Sequence, residues 1–202
     1  MWIWSLRETC SNSPLPLEEK PLRAIIISDT HGRIEAVKKL DSLFSSFQPD
    51  QIIFLGDALN NGPRNGVPLD YDPMACAAIF NKWARRIVAV RGNCDSRVDQ
   101  TLLHFDISQD SKVIYLNGFR CDLIHGDLLT SDLLEVERGD ILFFGHTHVC
   151  MLKKADGVVY FNPGSPSFPK NGNPPTYGVM DGLRLEIRKL DDDLPLLSLD
   201  LY

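Results

Sequence analysis

Carboxylate, imidazole and amide side chains directly follow five short apolar segments of this 202-residue chain. The polar stretches read Asp-Thr-His-Gly (29–32), Gly-Asp (56–57), Gly-Asn-Cys (92–94), His-Gly-Asp (125–127) and Gly-His-Thr-His (145–148). Together they offer the oxygen and nitrogen ligands that divalent Mn, Fe or Zn accept, and they lack the thiolate set of a structural zinc site. The pattern therefore predicts a metal site with mixed ligands.

The spacing within two of these motifs supports this interpretation. In an extended segment, residues two apart point to the same side, so Asp29 with His31, and His146 with His148, can reach one cluster. Each motif alone has an ordinary explanation: Asp29 could cap a helix, and His125 could be a hydrogen-bonded core histidine. Five motifs, each closing an apolar segment, favour a joint metal site. The fifth histidine of the chain, His104, is interpreted as a packed loop residue.

The first half of the chain predicts alternating strands and helices. Short β-branched runs predict strands over 22–28, 51–55 and 87–90. Apolar residues at helical spacing predict a helix over 33–47, and Asp72 followed by Pro73 predicts a second helix that runs to about residue 84. The β-α-β-α-β order predicts parallel strands, whose carboxyl ends are where open α/β sheets bind their ligands.

The second half predicts mostly strands. Asn117-Gly118 separates two of them in a hairpin, and Asp181-Gly182 separates another pair. The predicted strands cover 112–116, 119–124, 141–144, 149–153, 158–161, 177–180 and 183–190, with a short helix over 128–136. We therefore expect an α/β fold with mixed sheets, a single domain over 22–202, and a flexible N-terminal extension over the polar, proline-bearing residues 1–21.

Composition narrows the class of protein. The net charge is −6 and the pI is about 5.3, which argues against broad electrostatic binding to nucleic acid. No apolar run approaches the roughly 18–20 residues of a membrane span. The five cysteines are odd in number and form no C-x-x-C pair, which indicates a reduced, cytoplasmic protein without a disulfide framework.

The five motifs resemble the D-x-H, G-D, G-N, H-G and G-H-x-H signature of the calcineurin-like metallophosphoesterase superfamily. The loop sequences over 56–68, 89–105 and 161–181 are similar to those of small bacterial phosphodiesterases of the YfcE type. The resemblance covers about 22–190. It implies a four-layer αββα metallophosphoesterase sandwich with mixed sheets and two divalent metal ions at its top.

The resemblance also implies roles for particular residues. The first metal would be held by Asp29, His31, Asp57 and His148. The second would be held by Asp57, Asn93, His125 and His146, with Asp57 bridging. Mn²⁺ is the expected ion, with Fe, Zn and Ni as alternatives. The catalytic set would be Asp57, Asn93, His125 and Cys94.

The implied activity is hydrolysis of a small-molecule phosphodiester. A hydroxide bridging two metals about 3.5–4 Å apart would attack in line, without a covalent enzyme intermediate. Self-association is implied as a possibility, in the form of a homo-oligomer. The metals would also neutralise the phosphate charge, which an acidic protein must otherwise leave unbalanced.

Two positions depart from the pattern of many relatives. Cys94 stands where they have a histidine after G-N, a departure that the YfcE-like group shares. A neutral thiol is a weak acid, so Cys94 favours esters with good leaving groups, or it is only a small packed side chain. Asp127 stands where many relatives have a histidine, and it is either a turn residue or a group that alters the second metal's surroundings. Asp95 could support the ligands, and we expect residues 162–165 to brace the site.

Several alternatives remain open from the sequence. They are a non-catalytic protein-interaction module of the same fold, a nuclease, and a phosphomonoesterase or nucleotidase. Arg64, Arg91 and Arg97 lie in motif loops and could contact phosphate or have surface or structural roles. The loops over 60–71 and 165–175 are expected to shape the pocket.

Overall fold

The computed structural model describes residues 20–128 and 136–202, which form two mixed β-sheets and three α-helices. The elements, numbered in chain order, are β1 (Arg23–Ile27), α1 (Ile34–Phe47), β2 (Gln51–Phe54), α2 (Pro73–Lys82), β3 (Ile87–Ala89), α3 (Arg97–Leu102), β4 (Ser111–Leu116), β5 (Phe119–Ile124), β6 (Ile141–Phe143), β7 (Met151–Ala155), β8 (Val158–Asn162), β9 (Thr176–Asp181), β10 (Arg184–Lys189) and β11 (Pro195–Asp200).

Each sheet contains three parallel strands, which form one end of the first sheet and the centre of the second. The first sheet has the order β11-β10-β9-β1-β2-β3, in which β1, β2 and β3 are parallel and β9 to β11 are antiparallel additions. The second has the order β4-β5-β6-β8-β7, in which β5, β6 and β8 are parallel. The predicted parallel β-α-β units and both hairpins are confirmed, and so is the α/β class with mixed sheets.

Two apolar cores hold the layers together. Ile26 and Ile53 of the first sheet pack against Phe143 and Phe161 of the second, in the core between the sheets. On the other face of the first sheet, α1, α2 and the region of α3 cover a second core. The α1 side chains that face it are Val37, Leu40 and Phe44, among others, at the helical spacing that the sequence shows.

The outer face of the second sheet carries a smaller apolar cluster that includes Leu142 and Phe144. The helix predicted over 128–136, which would contribute to the fourth layer there, falls almost entirely on residues 129–135, outside the described residues. In the described residues, the layers are therefore helices, first sheet and second sheet, in that order.

Element boundaries differ from the prediction in a few places. The second helix begins as predicted, with Asp72 Oδ1 accepting a hydrogen bond from Ala75 N at 3.0 Å, but it ends at Lys82 and a 3-10 turn follows over Ala84–Arg86. The strand predicted over 149–153 is β7 and starts two residues later. Helix α3 and strand β11 were not predicted. Among the helices of the described ranges, none is long and apolar enough to cross a membrane.

Candidate metal centre

The five motifs meet where the two sheets come together at the carboxyl ends of their parallel strands. Asp29 and His31 follow β1, and Asp57 and Asn93 follow β2 and β3. The other three histidines follow β5 and β6. Backbone hydrogen bonds join neighbouring motifs within each sheet: Asp29 N donates to Gly56 O at 3.0 Å, and Gly145 N donates to His125 O at 2.7 Å. All seven predicted metal ligands therefore lie in one cluster.

One part of this cluster is built from Asp29, His31 and His148. Asp29 Oδ1 lies 3.3 Å from His148 Nε2 and 3.8 Å from His31 Nε2, and the two Nε2 atoms are 3.2 Å apart. Asp29 does not cap α1, because Arg33 is at the cap position and the Asp29 Oδ2 atom accepts a hydrogen bond from His146 N at 3.0 Å.

The other part surrounds Asp57 and Asn93. Asp57 Oδ2 lies 3.4 Å from His125 Nε2 and 3.7 Å from His31 Nε2, so it faces imidazoles of both parts. Asn93 Oδ1 lies 3.1 Å from His125 Nε2 and 2.8 Å from His146 Nδ1. The Asp57 carboxylate thus occupies the central position that the resemblance implies for a bridging ligand.

Outer hydrogen bonds fix the direction of three imidazole rings. The Nδ1 atoms of His31, His125 and His148 face the backbone carbonyls of Asn60 at 2.8 Å, Leu55 at 2.6 Å and Phe168 at 2.7 Å. A carbonyl oxygen only accepts, so each Nδ1 carries a proton and each Nε2 atom faces the cluster. Such outer partners are typical of metal-binding histidines.

The backbone at the cluster is strained. Five of the seven side chains belong to residues with left-handed backbone conformations, with φ between 47° and 62°: Asp29, His31, Asp57, His146 and His148. Residues other than glycine rarely adopt positive φ, and each such residue costs about 1–3 kcal/mol. Strain of this kind gathers at active sites, and the surrounding hydrogen bonds must compensate for it.

The side chains of Asp95 and Ser165 supply such hydrogen bonds. The Asp95 carboxylate accepts hydrogen bonds from the backbone N–H groups of Asp57, Ala58 and Gly92 at 2.8–2.9 Å, so it ties the second motif to the third. Burial raises its pKa to about 6, against the effect of these hydrogen bonds. Ser165 Oγ donates to Asp29 O at 2.8 Å. The predicted bracing role of 162–165 is thus confirmed.

The donor set fits a bound cation. Asp29 Oδ1 is fully buried and has no hydrogen-bond partner among the described residues. Burial alone would raise the pKa of Asp57, but its hydrogen bond to His125 and the charge of that ring lower it to about 2. Burial alone would lower the pKa of His125, but Asp57 and the charge of Asp29 raise it to about 9. Without an ion, a proton on His125 partly neutralises the negative charge of the Asp29 and Asp57 carboxylates. A bound cation would neutralise the same charge.

Cys94 lies beside the cluster as a neutral thiol. Burial and the negative charge of Asp57 raise its pKa to about 12. Its sulfur accepts a hydrogen bond from Asn93 Nδ2 at 3.2 Å, and its backbone N–H donates to Asp57 Oδ1 at 2.8 Å. Cys94 Sγ also lies within 4.8 Å of a ring nitrogen of His31 and of a carboxylate oxygen of Asp57. A thiol with this pKa is a weak proton donor near neutral pH.

We expect Cys94 of the chelator-treated protein to resist alkylation. Below pH 11 its thiolate fraction is small, so iodoacetamide at pH 8 should modify it at least ~100-fold more slowly than an ordinary thiol. Mass spectrometry of the peptide that contains Cys94 measures the rate, and the same peptide in urea-unfolded protein is the control. Equal rates in folded and unfolded protein would contradict the raised pKa.

Other residues singled out in the sequence have different positions. The Arg91 guanidinium forms an ion pair with Asp110, and Arg97 begins α3. His104 is exposed, so its interpretation as a packed residue was wrong. Arg64 and Lys170 line a cavity beside the cluster, so the loops over 60–71 and 165–175 both contribute to it, as expected.

Comparison with known proteins identifies the family. A family model for the calcineurin-like phosphoesterase superfamily domain matches residues 22–183, most of the chain. The chain belongs to this superfamily. Within the superfamily, the phosphodiesterase YfcE of Escherichia coli strain K12 is 40% identical over 172 residues, which cover 85% of this chain and 94% of that protein.

Two solved structures share the fold of this chain. The structure of the Escherichia coli phosphoesterase YfcE superposes with a TM-score of 0.86 at 37% identity, and covers 90% of this chain and 100% of that one. Vacuolar protein sorting 29 from Cryptosporidium parvum superposes with a TM-score of 0.62 at 16% identity, over 90% of this chain and 100% of that one. The second likeness shows the fold alone.

Proposed function

We propose that this protein is a metal-dependent phosphodiesterase. The observation that carries the proposal is the Asp57 carboxylate, which faces imidazoles of two ligand groups and has a pKa of about 2. Membership of the phosphoesterase superfamily and the 40% identity to a protein named phosphodiesterase YfcE support it. The substrate class that follows is a small-molecule phosphodiester.

The proposed cofactors are two divalent metal ions. Asp29, His31, Asp57 and His148 would hold the first, and Asp57, Asn93, His125 and His146 would hold the second. Mn²⁺ is the ion we propose, with Fe, Zn or Ni as alternatives, because carboxylate, amide and imidazole ligands suit all of them. When bound, two such ions lower the pKa of water and neutralise phosphate charge.

The residues of this chain orient that chemistry. The backbone N–H groups of His146 and Cys94 hold the outer oxygens of Asp29 and Asp57, so the remaining oxygen of each carboxylate faces inward. Burial and the charge of His125 lower the pKa of His146, which favours the neutral ring, and its Nδ1 faces Asn93 Oδ1 at 2.8 Å. Because the neutral Cys94 thiol is a weak proton donor, substrates with good leaving groups are favoured.

Restoring metal to stripped protein tests the proposal. We expect Mn²⁺ to restore cleavage of bis(p-nitrophenyl) phosphate, with p-nitrophenyl phosphate a poorer substrate. Asn93→Ala should lower the diester rate by about 10²-fold, because it removes the oxygen that faces both His125 and His146. Gln109→Ala, which removes an exposed amide, is the control.

The outcomes separate the alternatives. Faster cleavage of the monoester would favour the phosphomonoesterase or nucleotidase alternative. No turnover of either ester with Mn, Fe, Zn or Ni would contradict the enzyme and favour the non-catalytic interaction module.

Three broader features belong to the same proposal. We propose a single domain over 22–202, supported by the continuous core between the sheets. A cytoplasmic location is supported by the free thiols of Cys76, Cys94, Cys121 and Cys150.

A homo-oligomer is supported by the exposed edge strand β11, with Leu196 and Leu197 each 39% exposed. The flexible extension predicted over 1–21 lies outside the described residues, apart from its last two.

A further inference from the structure

A cavity of about 710 Å³ opens beside the candidate metal centre. Proposed ligands of both metal ions line it, among them His31, Asp57 and Asn93. Two cationic residues from separate loops, Arg64 and Lys170, also line it. The lining of this cavity therefore includes both the candidate metal centre and two positively charged side chains.

These two cations differ from most arginines and lysines of the described ranges, whose charged groups have a partner. Arg33 pairs with Asp70, and Arg91 pairs with Asp110. Arg64 and Lys170 have neither a hydrogen-bond nor an ion-pair partner for their charged groups in the described part of the chain. In a protein with a net charge of −6, two unpaired cations on one cavity wall suit an anion from solution.

The loop that carries Arg64 is held close to the metal centre. His31 Nδ1 donates to Asn60 O at 2.8 Å. Asn61 and Asn65 exchange side-chain to backbone hydrogen bonds at 2.8 and 2.9 Å, which closes the turn around Arg64. Gly62 lies against Cys94, since a Cβ there would be 2.9 Å from the sulfur.

The loop that carries Lys170 is fixed in a similar way. Lys170 N donates to His148 O at 3.1 Å, and Lys170 O accepts hydrogen bonds from both nitrogens of Asn173, at 3.1 and 2.8 Å. Both loops are thus held against candidate metal ligands, the first by the His31 ring and the second by the backbone carbonyl of His148.

A second cavity, of about 500 Å³, shares Asn93 with the first and has a different character. Ile124 and Leu128 contribute apolar surface to it, and its arginine, Arg91, is paired with Asp110. Asn93 lines both cavities. A phosphodiester bound at Asn93 would place one arm in each cavity.

We propose that Arg64 and Lys170 form an anion subsite, and that the preferred substrate is a phosphodiester that carries a second phosphate group on one arm. The inference rests on the proposed function, whose site it extends. The second phosphate lies between the guanidinium and the ammonium group, and the uncharged arm lies in the cavity beyond Asn93.

The test is a binding comparison on the Mn²⁺-loaded full chain. Calorimetry measures thymidine 3′,5′-bisphosphate against thymidine 5′-monophosphate, which differ by one phosphate. We expect the bisphosphate to bind about tenfold more tightly to the wild type, and the difference to fall below about twofold in Arg64→Gln/Lys170→Gln. The matched control is Arg85→Gln/Lys153→Gln, which removes two exposed cations outside both cavities and should keep the difference.

Equal or absent binding of the two nucleotides by the wild type would overturn the subsite, as would a difference that survives in the Arg64/Lys170 variant. Hydrolysis of bis(p-nitrophenyl) phosphate is measured on the same samples. If the wild type cleaves no diester but shows a binding difference that the variant loses, the proposed function fails and the anion subsite stands.

Discussion

Asp57→Asn is expected to lower the turnover of bis(p-nitrophenyl) phosphate by about 10³-fold or more. The Asp57 Oδ2 atom lies 3.4 Å from His125 Nε2 and 3.7 Å from His31 Nε2. The amide removes the negative charge that faces both imidazoles, and it can place N–H donors there. Metal content should fall with activity. Steady-state kinetics and metal analysis of the purified variant measure both effects.

The substitution keeps the fold, because asparagine tolerates the left-handed conformation that Asp57 adopts at φ 57°. Asp156→Asn is the matched control: it makes the same chemical change at an exposed turn with φ 51°. A variant with full metal content and wild-type turnover would contradict the central role of Asp57.

Gly92→Ala is expected to damage both stability and activity. A Cβ at this position would lie 2.1 Å from Asp57 Oδ1 and 2.3 Å from Asp57 N, so the two motif loops must separate. We expect a loss of about 1–3 kcal/mol in the free energy of unfolding, or a fall in Tm of roughly 2–12 °C. Diester turnover should fall by about 10²-fold, because Asp57 moves away from His125. Thermal melting and kinetics measure these effects.

Gly66→Ala is the stability control for this experiment. A Cβ at Gly66 would meet no atom within 4 Å, and its backbone is not in the left-handed region. Its Tm should equal that of the wild type. Unchanged melting and turnover in Gly92→Ala would mean that the two loops do not approach as closely as described.

Much of the fold was predictable from local patterns. The β-branched runs, the apolar face of α1 and the Asn117-Gly118 turn each carry their signal within a few residues. Strand β11 carries none, because it is exposed, begins with Pro195 and makes its sheet bonds only to β10. Helix α3 is too short for an apolar period. Its Ser96–Asp99 capping box was the only available signal.

The site was predictable in composition and less so in geometry. Strands that end in Asp, Asn or His indicate which residues meet, because parallel strands share an edge. The left-handed conformations of Asp29, His31 and Asp57 have no signature in the sequence, since they follow from tertiary hydrogen bonds. The unpaired state of Lys170 has no signature in the sequence either, because it depends on which residues lie around its loop.

The origin of the ligands in two sheets has a consequence for folding. His31 and His148 touch although 117 residues separate them, and neither sheet alone holds a complete ligand set. Contacts at such sequence separation form late, because chain closure must precede them. A partly folded chain with one sheet formed therefore has no complete site. Recovery of catalysis during refolding should report docking of the sheets, and should lag behind the recovery of secondary structure.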